Sequence, residues 1–230
     1  MKTIGLLGGM SWESTVTYYT LINQGIHRKL GGLHSAKILL ASVEFQEIET
    51  CQALGDWEKS GDILADYAKG LEAAGADFLL ICTNTMHKVA PQIQAQLGIP
   101  ILHIADATIE RLQQEGITKV GLLGTKYTMT QDFYKERIIE QGIDVLIPNE
   151  KDVEIVNKII FDELCLGEIK EASKEQYKAI IAKLQAAGAQ GIILGCTEIG
   201  LLIQQEDVKL PLFDTTEIHS AVAVEKALNE

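Results

Sequence analysis

AAGADFLLICTNT at residues 73–85 returns without a gap as AAGAQGIILGCTE at residues 186–198, and this internal echo governs how the whole chain is read. KTIGLLGG (2–9) likewise returns as TKVGLLGT (118–125), and IPIL (99–102) as LPLF (210–213). Three matches in the same order, at offsets of 116, 113 and 111 residues, mark a duplicated half rather than chance composition. Apolar runs of strand length alternate with longer stretches of helical period, the pattern of an α/β protein with mainly parallel sheets. Strands are expected at 3–7, 37–43, 77–81, 99–103, 119–123, 144–147, 191–194 and 210–213. Helices are expected at 14–28, 57–74, 86–97, 107–115, 131–141, 153–164, 174–187 and 216–228.

Doubled halves predict two similar α/β lobes related by a pseudo-twofold axis. Residues 1–103 plus 214–230 would form one lobe and 104–213 the other. In open parallel sheets ligands bind beyond the carboxyl ends of the strands, where both repeated loops fall, so the expected active site is an interlobe cleft.

Bulk properties narrow the partners. A chain of 230 residues with 47% hydrophobic composition can bury a sizeable core. Its net charge of −12 argues against nucleic acid or an anionic membrane surface, both of which call for clustered Lys and Arg. A small molecule is the better partner. The four cysteines form no CxxC pair, the histidines have no metal-ligand spacing, and the amino-terminal apolar run is too short for a signal h-region or a membrane span. These features predict a cytoplasmic protein with free thiols and no metal, of a size common among homodimers.

The internal alignment pairs Thr83 with Cys196 and Asn84 with Thr197. Cys196 leaves an apolar strand through Gly195 and enters what reads as a helix start. There a positive dipole end would lower its pKa below the free value of roughly 8.5 and make it a usable base or nucleophile. Thr83 carries a hydroxyl in the mirror position, able to donate or relay a proton but a poor base. Cys82 points to the other face of its strand and reads as core. Asn84, Thr85 and Thr197 supply hydroxyls, an amide and helix-start N–H groups that suit a carboxylate, or that cap the turns. GLLGGM at 5–10 matches neither a dinucleotide fingerprint nor a Walker loop, and its glycines suit close backbone approach to a small ligand. His87, four residues past Thr83, could orient the loop, serve as an acid, or simply pack.

GLLGGMSWEST at the amino end, TNTMH at 83–87, GCTE at 195–198 and FDTTEIH at 213–219 together resemble the aspartate/glutamate racemase family across nearly the whole chain. The resemblance implies amino-acid racemisation without pyridoxal phosphate or any other cofactor, by two thiols on opposite faces of the substrate Cα. The chain departs from that pattern at Thr83, where the family has its first cysteine. Carried over, Cys196 would be the base and Thr83 the proton donor or relay, giving an enzyme that prefers L-aspartate or L-glutamate. The implied substrate contacts are Met10, Gln52, Thr83, Asn84, Thr85 and Cys165, with Thr197 from the reading above. A single-cysteine decarboxylase, an isomerase, a hydantoin racemase or an idle amino-acid-binding protein would share the scaffold.

Overall fold

In the computed structural model, which describes residues 1–229, the elements run β1 (Ile4–Gly8), α1 (Trp12–Leu30), β2 (Ile38–Ser42), α2 (Phe45–Leu54), α3 (Trp57–Ala73), β3 (Phe78–Ile81), α4 (Ala90–Gln94) and α5 (Ile104–Gln114). They continue as β4 (Lys119–Gly124), α6 (Lys126–Thr130), α7 (Asp132–Ile139), β5 (Asp144–Leu146), α8 (Glu150–Asp162), α9 (Glu171–Ala186), β6 (Gly191–Gly195), α10 (Ile199–Leu202), β7 (Leu212–Asp214) and α11 (Thr215–Leu228). Short 3₁₀ turns sit at Thr85–Val89, Leu164–Leu166 and Gln205–Asp207. No helix among the described residues is long and apolar enough to cross a membrane.

The chain forms two compact α/β units, Met1–Ile104 with the segment from Thr216 onward, and Ala105–Thr215. The first holds a parallel sheet of order β2-β1-β3 and the second a parallel sheet of order β5-β4-β6-β7. The duplication survives in detail. Gly75 and Gly188 both adopt left-handed φ, +100° and +98°, to turn the chain from helix into strand. One residue on, Ala76 and Ala189 donate back to Leu71 and Leu184 at 3.1 and 3.0 Å. Next, the Asp77 carboxylate accepts from the Thr3 N–H at 2.6 Å, as the Gln190 amide oxygen accepts from the Thr118 N–H at 2.8 Å, each tying the starts of two neighbouring strands.

Two expectations need correction, and three helices were not foreseen. The strand foreseen at 99–103 shrinks to a single parallel bridge, Leu79 with Ile101. Pro100 has no N–H to give, and α5 begins at Ile104, so only the Pro100 carbonyl and the Leu102 N–H reach Leu79, at 3.0 and 2.8 Å. That bridge occupies the place that β7 fills beside β6. The helix foreseen at 86–97 is a 3₁₀ turn followed by the short α4, with Pro91 in the first turn of α4. α2 was not foreseen, although Glu44 caps it by accepting from the N–H groups of Gln46 and Glu47, and Gly55 closes it at φ +71°. The short α6 and α10 also lay outside the expected pattern.

Packing in the first unit has two faces, as period-2 alternation requires. Leu7, Ile81, Met10, Ile48, Leu64 and Met86 lie in one cluster, while Ile4, Leu6, Phe78, Leu80 and Cys82 pack with Tyr18, Ile22 and Ile26 of α1 and Ala223 and Val224 of α11 in the other. α1 is capped by Ser11 and carries Glu13 in its first turn and His27, Arg28 and Lys29 in its last, matching its dipole. It meets α11 at Gly25, where a Cβ would come within 2.7 Å of Val224.

Candidate active site

Thr83 follows β3 and the fully buried Cys82, whose thiol burial pushes far above its ordinary pKa. Cys82 is therefore core, as strand alternation expects. Thr83 is half-buried, and Asn84 and Thr85 behind it are buried. His87 fastens this turn. Its Nδ1 lies 2.8 Å from the Thr83 carbonyl oxygen and its Nε2 lies 3.2 Å from the Ile104 backbone nitrogen. A carbonyl only accepts and a backbone N–H only donates, so Nδ1 carries the proton, Nε2 accepts, and the ring is neutral. Of its expected roles, the geometry supports loop orientation.

His219 behaves alike on the neighbouring helix. Its Nε2 donates to the Leu102 carbonyl at 2.7 Å and its Nδ1 accepts from the Tyr18 hydroxyl at 2.9 Å. Burial, with His103 adding to it, pushes its pKa down to about 3. The His87 ring stands 4.5 Å from that of His103 and 6.0 Å from that of His219, both edge-on, so three histidines cluster behind the Thr83 turn.

The loop after β1 is tied into the same end of the sheet. Thr15 Oγ1 donates to the Ser11 carbonyl and accepts from the Gly9 N–H, both at 2.8 Å. Ser14 Oγ lies 3.0 Å from the Ser11 carbonyl and 3.4 Å from the Cys82 carbonyl, linking the β1 loop to the end of β3. Gly9 has φ +92° and its missing Cβ would sit 2.4 Å from the Val43 carbonyl, so what this glycine admits is close packing against the chain's own backbone beyond β2. Met10 is buried in the cluster that contains Met86, and the Gln52 amide on α2 donates to the Met86 sulfur at 3.0 Å. The first unit thus gathers Met10, Gln52, Thr83, Asn84 and Thr85.

The second unit gathers Cys165, Cys196 and Thr197. β6 is wholly buried, and Gly195 lets its backbone pack where a Cβ would meet the Leu123 carbonyl at 2.9 Å. Beyond it, the Cys196 thiol donates to Glu198 Oε2 at 2.9 Å and the Thr197 hydroxyl donates to the same oxygen at 2.7 Å. Cys196, Thr197 and Glu198 are all buried. Cys165 occupies the 3₁₀ turn at Leu164–Leu166, half-buried and close enough to act on the Cys196 thiol.

The expected lowering of the Cys196 pKa is overturned. Burial first, then the negative charge of Glu198 and the nearby Cys165, hold this thiol well above its ordinary range. The helix invoked to lower it, α10, is four residues long and offers little dipole. Glu198 is the member of this cluster that sequence reasoning did not single out. The signal was its place immediately after GCT, but nothing linear shows that its carboxylate folds back two residues onto the sulfur.

A family model for Asp/Glu/hydantoin racemases matches residues 7–223. Among solved structures, the chain is 55% identical to a candidate Asp/Glu racemase from Yersinia pestis, with all of both chains covered and a TM-score of 0.93. It is 38% identical to an aspartate racemase homologue from Pyrococcus horikoshii OT3, again with both chains fully covered and a TM-score of 0.85. A broad specificity amino-acid racemase of Bacillus subtilis is 27% identical over 165 residues, 70% of this chain and 69% of the relative. The two-unit fold extends to glutamate racemase of Francisella tularensis, at 16% identity and a TM-score of 0.67 over 99% of this chain and 83% of that one.

The fold and the paired strand-end turns define a duplicated, racemase-type α/β protein. The chain belongs to the Asp/Glu/hydantoin racemase family.

Proposed function

We propose that the protein is a cytoplasmic, cofactor-independent racemase of aspartate, glutamate or both, with Cys196 as the base, Thr83 as proton donor or relay, and a preference for the L-enantiomer. The observation that carries this reading is the inequality of equivalent positions. The turn after β6 presents a thiol at Cys196, and the turn after β3 presents a hydroxyl at Thr83. Racemisation removes a proton from one face of Cα and returns one to the other. A thiol can alternate between acid and base, whereas a Thr hydroxyl ionises too reluctantly to abstract a proton unaided. Abstraction should therefore run well from the Cys196 side and poorly from the Thr83 side.

The Cα proton of an amino acid is weakly acidic, so the carboxylate must be held by donors that strengthen as charge develops. Asn84, Thr85 and Thr197 are the proposed carboxylate ligands, with Met10, Gln52 and Cys165 completing the substrate contacts. The substrate class rests on the family and on the aspartate racemase homologue at 38% identity.

The test is loss of the α-proton NMR signal from L- and D-aspartate and L- and D-glutamate in deuterated water. The wild-type protein is expected to exchange at least one L-enantiomer faster than its mirror image. Cys196→Ala should slow this by about 10²-fold or more. Absence of exchange from all four amino acids, with turnover of an arylmalonate instead, would replace the reading with single-cysteine decarboxylation.

A further inference from the structure

α1 and α11 lie side by side in the first unit and run in the same direction, since Tyr18 meets His219, Gly25 approaches Val224 and Lys29 pairs with Glu225. Between them is a groove of about 410 Å³, within the size range of small-molecule sites. α1 leaves the carboxyl end of β1 and must cross back to the start of the parallel β2, so its second half lies toward the amino ends of the strands. The groove lies there too, and at the same end the Lys2 N–H donates to the Ala227 carbonyl of α11. The Thr83 turn follows the carboxyl end of β3, so groove and turn are separate places in the unit.

Leu21, Ala221, Val224 and the bare backbone of Gly25 give the groove uncharged walls. Its charges are segregated along its length. Glu217 lies in the first turn of α11, whereas Arg28 and Lys29 lie in the last turn of α1. Lys29 is already paired with Glu225, but Arg28 forms no ion pair among the described residues. Ser220 borders the groove at 2% exposure, and its hydroxyl has no hydrogen-bond partner among the described residues. A buried hydroxyl left unpaired is costly, and a ligand that supplies the partner removes the cost. The alignment of the helices sets Ser220 about two turns before Arg28, a span of roughly 10 Å once the arginine tilts back toward the helix start.

We infer that this groove binds a small linear zwitterion. Its carboxylate is forked by the Arg28 guanidinium, and its ammonium, about 10 Å away, is shared between the Ser220 hydroxyl and the Glu217 carboxylate. A free α-amino acid does not fit this description, because its two charges sit on one carbon. A tripeptide in extended form spans about 10 Å, and an ω-amino acid of similar length carries the same two charges without the peptide groups. Because the groove stands apart from the Thr83 turn, its occupant does not compete with substrate there.

Triglycine and ω-aminocaprylate are the probes, titrated into the full-length protein by calorimetry and followed by amide NMR shifts. At least one should bind one to one with a Kd of about 1 mM or tighter and shift the Gly25 and Ala221 amides. Glycine lacks the span and N-acetyltriglycine lacks the ammonium, so each should bind about tenfold or more weakly than triglycine. Arg28→Gln, at an exposed position, should keep the wild-type urea midpoint and weaken the bound probe about tenfold. Ser220→Ala should weaken it about threefold while the urea midpoint stays or rises, since the variant loses a buried hydroxyl that had no partner. Similar affinity for both probes supports recognition by the two charges alone. Binding of triglycine only supports a peptide as the occupant, and binding of ω-aminocaprylate only supports an ω-amino acid. Three results would overturn the inference: no saturable binding of either probe, unchanged affinity in Arg28→Gln, or shifts at Asn84 and Thr85 in place of Gly25 and Ala221.

Discussion

At the scale of single residues, the proposed function turns on two positions that the duplication made equivalent and chemistry made unequal. Thr83 and Cys196 each follow a fully buried strand, β3 and β6, and each is stabilised by a side chain a few residues further on. For Thr83 that support is His87, whose Nδ1–H grips the Thr83 carbonyl and fixes the backbone. For Cys196 it is Glu198, whose carboxylate accepts from the thiol itself. Restoring a thiol on the weaker side tests the asymmetry. Thr83→Cys should raise α-proton exchange from the D-enantiomer at least tenfold relative to the L-enantiomer, as followed by proton NMR in deuterated water and by chiral chromatography. A variant whose D-to-L ratio stays at the wild-type value would show that Thr83 does not face the substrate.

At the scale of elements, the loop joining β1 to α1 shows how a backbone path is specified by the absence of side chains. Gly9→Ala places a methyl at φ +92° and 2.4 Å from the Val43 carbonyl. It should lower stability by about 1–3 kcal/mol in urea titrations. Gly70→Ala, inside α3 with nothing within 4 Å of the new methyl, should raise it by about 0.5–1 kcal/mol. The contrast follows from space and φ, neither of which is written in the residue name. The same limit governs what could be read beforehand. β1, β3, β4 and β6 were legible because they are apolar runs buried in a parallel sheet, β2 because its run is apolar although it lies partly exposed at the sheet edge, and α1, α3 and α9 because their apolar faces recur at helical period. α2 escaped because its apolar positions are few, although its Glu44 cap and Gly55 terminator were in view. Of the site, Thr83, Cys196 and their flanking polar residues were legible through the repeat. The raised Cys196 pKa was not, because it depends on burial and on a carboxylate that reaches the sulfur only after the turn has folded.

At the scale of the whole molecule, stability should carry the mark of its buried histidine. His219 has a pKa near 3 in the folded protein against an ordinary value of 6.5. Below pH 6.5 the unfolded chain takes up a proton that the folded one refuses, so this contribution is complete above pH 6.5 and drains away as pH falls toward 3. The slope should approach on the order of 1 kcal/mol per pH unit across that window. Urea midpoints measured at pH 7.5 and pH 5 should fall further apart in the wild-type protein than in His219→Leu, and equal shifts in the two proteins would contradict this account. The division of the chain carries a different consequence. α5 and α11 are counterparts, each following the last strand position of its half, yet the residues of α5 from Ala105 onward belong to the second unit, and α11 from Thr216 onward packs into the first. Neither half of the duplication therefore builds a unit alone. During synthesis the second unit is contiguous and can close while the last helix is still being made. The first, whose Ile4, Leu6 and Phe78 wait for Ala223 and Val224, begins to emerge earliest and is completed last.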